Sequence, residues 1–180
     1  MKSDANLTVS ILPAVEIAGH VGQLGAMLHA CVHAGASIGY VLPYSAADSE
    51  SFWSEKVGPA VLAGTRLLLV ARQQGRIVRS VQLDYDTPPN QPHRAEVRKL
   101  LVQPDVRRQG IALMLMADLE RHARALGRTL LTLDTRTGDN AEPLYASLGY
   151  TAVGIIPGFC RDTSDATRLD STTIMYKHLN

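Results

Sequence analysis

The residue pattern predicts a mixed α/β sheet, and three observations carry that expectation. Two β-rich runs, Arg66 to Ala71 and Ile77 to Leu83, lie on either side of Gln73-Gln74-Gly75 and read as a hairpin. From Ala95 onward the order is strand–helix–strand–helix–strand–strand, and a right-handed crossover sets the long helix against two parallel strands. A chain of 180 residues can bury most of its apolar surface in one core, so a single domain spanning 1–180 is expected.

The elements follow in order. Leu7-Thr8-Val9-Ser10-Ile11 alternates as a strand does and stops at Pro13. Leu24, Leu28 and Cys31 fall at helical spacing within a helix from about Glu16 to Ala34. Ile38 to Val41 is a short extended piece ending before Pro43. A second helix runs from Ala47 to Ala63, with Asp48 or Ser49 as its cap, Gly64 as its end and Pro59 interrupting its middle. After the hairpin comes a Pro-rich loop, 87–92. The fourth strand is Ala95 to Val102, and a helix from about Gln109 to Leu126 has Leu115, Leu119, Ala123 and Leu126 on one face. Thr129 to Asp134 is the fifth strand, and Ala141 to Leu148 is a short helix. The last strands are Tyr150 to Ile155 and Thr172 to Lys177, joined by a long polar loop from Pro157 to Ser171.

Composition removes several function classes. Eighteen Lys and Arg against 17 Asp and Glu leave a net charge of +1, without the basic excess that nucleic acid demands. Aromatics at 5% are too few for a base-stacking platform. The charged start and the lack of a long apolar run give no signal peptide or membrane span, so a cytoplasmic protein is expected. Cys31 and Cys160 read as two reduced thiols.

The informative segment is Leu100-Leu101-Val102-Gln103-Pro104-Asp105-Val106-Arg107-Arg108-Gln109-Gly110-Ile111-Ala112. A strand enters a turn, and a helix opens at Gly110. Unpaired N–H groups and the positive end of the dipole make a helix start suitable for phosphate. Gly110 and the small Ala112 permit close backbone approach, and Arg107 and Arg108 add cationic charge. The turn alone equally describes an exposed helix start with two solvated arginines.

Arg107-x-x-Gly110-x-Ala112 matches the [RQ]-x-x-G-x-[GA] signature of the GCN5-related N-acetyltransferases, and Leu100-x-Val102-x-Pro104 resembles the strand leading into it. Ala141-Glu142-Pro143-Leu144-Tyr145-Ala146-Ser147-Leu148-Gly149-Tyr150 resembles that family's second coenzyme-binding helix. The resemblance implies a mostly antiparallel sheet of about seven strands, with a splayed parallel pair at strands four and five and about four flanking helices. It implies acetyl-CoA as co-substrate. Backbone N–H groups of Arg107, Arg108, Gln109, Gly110, Ile111 and Ala112 would hold the pyrophosphate. Leu100, Leu101 and Val102 would pair with the pantetheine arm as a strand would. The family often has Asn three residues before Ala141; here that position is Gly138, and Asn140 is out of register. Ala36-Ser37-Ile38-Gly39-Tyr40, Arg94-Ala95-Glu96-Val97, Leu133-Asp134-Thr135 and Pro157-Gly158-Phe159-Cys160 look like the tabtoxin-resistance branch of the superfamily, which inactivates a β-lactam amino-acid toxin.

Attack of an amine on a thioester needs a neutral amine, an oxyanion donor, a proton for the thiolate and an aligned carbonyl. Glu96 lies four residues before Leu100, and strand alternation groups it with Arg98 and Leu100. A bulge near Leu100, which the family likeness implies, would re-aim part of that pattern. Glu96 reads either as a base or as half of an ion pair with Arg94 or Arg98. Asp134 reads as a second base, as an orienter of the ammonium, or as the start of a turn. The resemblance makes Tyr145 the general acid. The oxyanion can be met by a backbone N–H of Leu101 or Val102.

Other constellations carry less. His29 and His33 are one helical turn apart without a third ligand, so no metal is expected. Cys160 lacks a paired base, and His93 has no decided role. Phe52 reads as core, and Trp53 as core or pocket wall. The expected protein is an acetyl-CoA-dependent N-acetyltransferase for a small-molecule amine, partnered by neither nucleic acid nor membrane, and a monomer or a homodimer. The rival expectations are a protein or peptide N-acetyltransferase and a non-catalytic CoA-binding module.

Overall fold

The computed structural model describes residues 7–106 and 110–180. Seven strands form one sheet: β1 (Leu7–Ile11), β2 (Arg66–Gln73), β3 (Arg76–Asp84), β4 (Arg94–Val102), β5 (Leu130–Arg136), β6 (Thr151–Arg161) and β7 (Leu169–His178). Their spatial order is β1-β2-β3-β4-β5-β7-β6. Every neighbouring pair is antiparallel except β4 and β5. The helices are α1 (Ala14–His33), α2 (Ala46–Ser51), α3 (Gly58–Leu62), α4 (Ile111–Ala125) and α5 (Ala141–Ser147), with a π-helical turn at Phe52–Val57 joining α2 to α3. Counting that joined segment as one helix, the seven strands, parallel β4–β5 pair and four helices agree with the expectation from sequence.

The two faces of the sheet carry different helices. Leu68 and Val70 of β2 meet Leu24, Leu28 and Trp53 from α1 and the π turn. Leu69 and Ala71, pointing the other way, meet Leu115, Leu119 and Ala123 of α4. A strand covered on both faces reads as an unbroken apolar run, which is why Leu67-Leu68-Leu69-Val70-Ala71 does not alternate. The α4 face is Ile111, Leu115, Met116, Leu119 and Ala123; Leu126 is the C-cap and is exposed.

Three expectations change. The single second helix is broken into α2, π turn and α3. Pro59 has no N–H to donate and sits in the first turn of α3, while the N–H of Gly58 reaches back to the carbonyl of Trp53. The shift in phase buries Trp53 completely and leaves Phe52 half-buried and Leu62 exposed, so Trp53 is the core residue. Residues 36–44 pair with no strand. The predicted 157–171 loop shrinks to 162–168, because β6 continues through Pro157-Gly158-Phe159 with its register shifted between Ile156 and Cys160. A bulge on an edge strand tolerates Pro, whose missing N–H faces no partner.

Candidate active site

The site begins at an irregularity in β4. Its register against β3 shifts between Ser80 and Gln82, so that Lys99 and Leu100 together oppose Val81, and Lys99 has φ of 48°. This is the bulge expected near Leu100. Its consequence is visible in packing. Ala95 and Val97 join the α4-side core, but Leu101, which an unbroken strand would place with them, joins the α1 side beside Leu28 and Cys31.

The second feature is the parting of β4 from β5. They pair only over Arg94–Glu96 and Leu130–Thr132. Beyond Glu96 the strands diverge, and the backbone of Val97 to Val102 is not laddered to β5. Leu100, Leu101 and Val102 therefore border a cleft in which an extended ligand could hydrogen-bond as a strand. The chain then passes through a 3₁₀ turn, Pro104–Val106, to the start of α4. Gly110 precedes α4 at φ of 70°, a conformation that suits a residue without Cβ and turns the chain into the helix. Ile111 and Ala112 are buried in the first turn. Arg107, Arg108 and Gln109 lie outside the described residues. Below the turn, the buried Arg79 of β3 donates to the carbonyl of Val106 at 2.5 Å. Burial lowers its pKa, and its Nε has no partner among the described residues.

At the mouth of the cleft lies a cavity of about 330 Å³. Glu96, Lys99 and Leu100 of β4, Asp134 of β5, Tyr145 of α5 and Phe159 of β6 line it. Glu96, Asp134 and Tyr145, singled out separately from sequence, thus share one space. Tyr145 belongs to the α4-side core, yet it reaches the same cavity as Asp134 where the strands have parted.

The electrostatics differ from residue to residue. Glu96 accepts from Arg98 Nη2 at 3.0 Å, and Arg98 also lies 3.4 Å from Asp84, which Arg66 pairs at 2.5 Å. The ion-pair reading of Glu96 is thus met with Arg98, and the same side chain lines the cavity. Asp134 has no ion pair with a described residue. The hydroxyl of Thr172 lies 3.1 Å from its Oδ2 and 3.0 Å from the carbonyl of Thr135, and can donate to either. Tyr145 is 6% exposed, and its ring stands edge-on to Tyr150 with centroids 5.6 Å apart. Burial, and then the charge of Asp134, push its phenol well above the ordinary value, so it remains protonated.

Sequence reasoning missed Lys99, which alternation had placed with Val97 on the far face. The bulge turns it onto the face of Glu96 and Arg98. Its ammonium donates to the carbonyl of Ile38 at 2.5 Å and lies 5.0 Å from the ring of Tyr40 and 5.3 Å from that of Phe52. Burial, followed by the nearby Arg98 and Arg66, lowers its pKa to about 8, with Asp134 acting in the opposite direction. Arg79 was missed as well, because a lone Arg in an apolar strand gives no motif. Of the weaker candidates, Cys160 lines the cavity with its Sγ 3.7 Å from Ser37 Oγ, while His93 is exposed and away from it. His29 and His33 stack on each other, and no metal-holding group of three or more His, Cys, Asp or Glu occurs among the described residues. Gly138, which stands where the family pattern has Asn, adopts φ of 79°, and its N–H donates to Glu142 at 2.9 Å. No described helix is long and apolar enough to cross a membrane.

The far wall of the cavity is stitched together. Thr163 Oγ1 donates to the carbonyl of Ala36 at 2.9 Å, and the N–H of Leu42 donates to the carbonyl of Thr163 at 2.8 Å. The 36–44 segment and the end of β6 thereby form a continuous side to the cavity.

Comparison with known proteins agrees with this architecture. An uncharacterised N-acetyltransferase of Azospirillum brasilense, encoded in the hisH–hisA intergenic region, is 32% identical over 114 residues, covering 62% of this chain and 66% of that protein. The protein yncA of Salmonella typhimurium, solved with its cofactor acetyl-CoA, superposes with a TM-score of 0.76 at 18% identity, covering 98% of this chain and 95% of the other. The ribosomal-protein-alanine N-acetyltransferase of Brucella melitensis gives 0.74 at 19% identity, covering 96% and 99%. The model of the acetyltransferase (GNAT) family matches residues 39–150, from the loop beside Lys99 to Tyr150 just beyond α5. With the parted β4–β5 pair, the bulged β4 and that match in one chain, this protein belongs to the acetyltransferase (GNAT) family, a family of acetyl-transferring enzymes that use acetyl-CoA.

Proposed function

We propose that this protein is an acetyl-CoA-dependent N-acetyltransferase acting on the amine of a small molecule by direct attack. The observation that carries the reading is the single cavity holding Asp134, Glu96 and Tyr145 at the end of the open β4 edge. The pantetheine arm lies along Leu100, Leu101 and Val102, and the phosphates sit at the 107–112 turn. Asp134, which has no ion pair among the described residues, orients the ammonium and takes its proton, with Glu96 as the second carboxylate of the site. The amine attacks the thioester carbonyl; the oxyanion is met by a backbone N–H of Leu101 or Val102. Collapse of the adduct breaks the C–S bond, Tyr145 donates its proton to the departing thiolate, and the second proton shed by the nitrogen restores the phenol.

A small acceptor is supported by the cavity's size, at the low end of the roughly 300–1,000 Å³ of ligand pockets, and by its stitched far wall. An amino-acid-like toxin or antibiotic fits that size, in line with the likeness of 36–40 and 157–160 to toxin-resistance enzymes. A peptide N-terminus would need an open groove where residues 36–44 and Phe159 stand. A non-catalytic CoA-binding role leaves the convergence of Asp134 and Tyr145 without a purpose.

The test is a free-thiol assay with acetyl-CoA over amino acids, polyamines, aminoglycosides and N-terminal peptides. Thiol release with a small amine and none with the peptides is expected. Release with peptides alone would move the assignment to proteins, and release with neither would remove the catalytic reading.

A further inference from the structure

The charged groups lining the cavity do not all cancel. Arg98 is matched by Glu96 at 3.0 Å, and Arg136 by Asp139 at 3.1 Å. Lys99 and Asp134 remain, and neither makes an ion pair with a described residue. An ammonium has three donors, and Lys99 uses one, on the carbonyl of Ile38. The rings of Tyr40 and Phe52 hold the cation without neutralising it. Its position is built: the bulge with φ of 48° turns it toward the acceptor side, and the 36–44 segment closes over it. Asp134 acts on this largely desolvated cation only from beyond ion-pair distance, and an oxyanion arriving beside the ammonium removes the remaining penalty. A Lys serving only as a tether for Ile38 would not need to line the cavity, as Lys99 does.

We propose that Lys99 is an anion subsite for the acceptor, and that the acceptor is a zwitterion whose amine faces Asp134 and whose carboxylate faces Lys99. This rests on the small-amine reading and narrows it to molecules of amino-acid type. Lys99 is then a specificity-determining residue. It forms a charge-assisted hydrogen bond to the substrate carboxylate and takes no part in proton transfer. A neutral ester or amide at that position leaves the ammonium unpaired, so discrimination appears in KM.

The probe is a set of matched pairs: proteinogenic L-amino acids and their methyl esters, assayed for thiol release with saturating acetyl-CoA. The amine of an ester is less basic and more often neutral, so chemistry alone favours the ester. The expected result is the reverse, with kcat/KM at least tenfold higher for the acid. Lys99→Met should abolish that preference by raising KM for the acids at least tenfold more than for the esters, and Lys99→Arg should retain it. Unchanged acetyl-CoA affinity in Lys99→Met shows that the donor side is intact. Acid and ester turned over within twofold of each other by the unaltered enzyme, or Lys99→Met slowing both alike, would overturn the subsite while leaving small-amine transfer standing. Turnover of neither member of any pair alongside turnover of a polyamine or aminoglycoside would overturn the zwitterion alone, and turnover of no small amine at all would remove both.

Discussion

The donor and acceptor halves of the site are built on opposite principles. On the proposed reading the donor half is backbone: the unladdered edge of β4 and the N–H groups where α4 begins. The acceptor half is side chains: Glu96, Lys99, Asp134 and Tyr145, delivered by three separate elements and closed by residues 36–44 and the end of β6. Backbone recognition asks little of side-chain identity except small size and correct turns, and it is contiguous in the chain. Side-chain recognition is dispersed and depends on charge balance. The comparison predicts that substitutions in the acceptor half alter turnover and selectivity, whereas those in the donor half alter coenzyme affinity.

The sharpest break of this division is at Tyr145, which touches both halves. Tyr145→Phe should lower kcat by about 10²–10⁴-fold, the usual contribution of a positioned acid or base, while acetyl-CoA affinity by calorimetry stays within about twofold. A large loss of affinity instead would place Tyr145 in the donor half. Next in size is the contrast between the carboxylates. Asp134→Asn should lower kcat/KM about 10²-fold or more, and Glu96→Gln by less, because Arg98 already compensates Glu96. Equal losses would mean that the two act as one coupled pair.

On the donor side, Gly110→Val puts a branched residue at φ of 70° with a strain of about 1–2 kcal/mol; a free turn that relaxes out of this conformation must be forced back on binding, so acetyl-CoA should bind up to roughly tenfold more weakly with kcat preserved. A fall in kcat at saturating coenzyme would show that the turn also aligns the thioester. The smallest effect concerns Lys99 and stability. Its pKa falls from 10.5 to about 8 on folding. Below about pH 8 the group is protonated in both states, and the burial penalty is fully present. Between about pH 8 and 10.5 the unfolded chain binds more protons, so Lys99 makes stability rise with pH. Melting curves over that range should show an increment of roughly a few °C relative to Lys99→Met, with Arg98, Arg66 and Asp134 as the charges that set it. An identical pH dependence in the variant would mean that Lys99 is as well solvated folded as unfolded.

Much of the fold was legible because it repeats over many residues. The apolar run of β2, the hairpin around Gln74-Gly75 and the stripe Leu115, Leu119, Ala123 each report burial through periodicity. The donor motif was legible because residues 100–112 are contiguous. Lys99 was not, since a bulge inverts alternation without leaving a mark in residue type. The phase of the second helix was not either: Pro59 signalled trouble, but whether the helix would end, kink or widen depended on what it packs against. Nor did Pro157 and Gly158 signal a continuing strand, because they are acceptable only on a bulged edge.

The sequence by itself determined the order of strands and helices and marked residues 100–112 as the expected coenzyme segment, since local periodicity and a contiguous motif specify these. The tertiary structure decided which carboxylate is left unpaired, where Lys99 points and what walls the acceptor cavity. Each depends on groups far apart in the chain becoming neighbours, with charges whose energies are set by desolvation and by partners that only folding supplies.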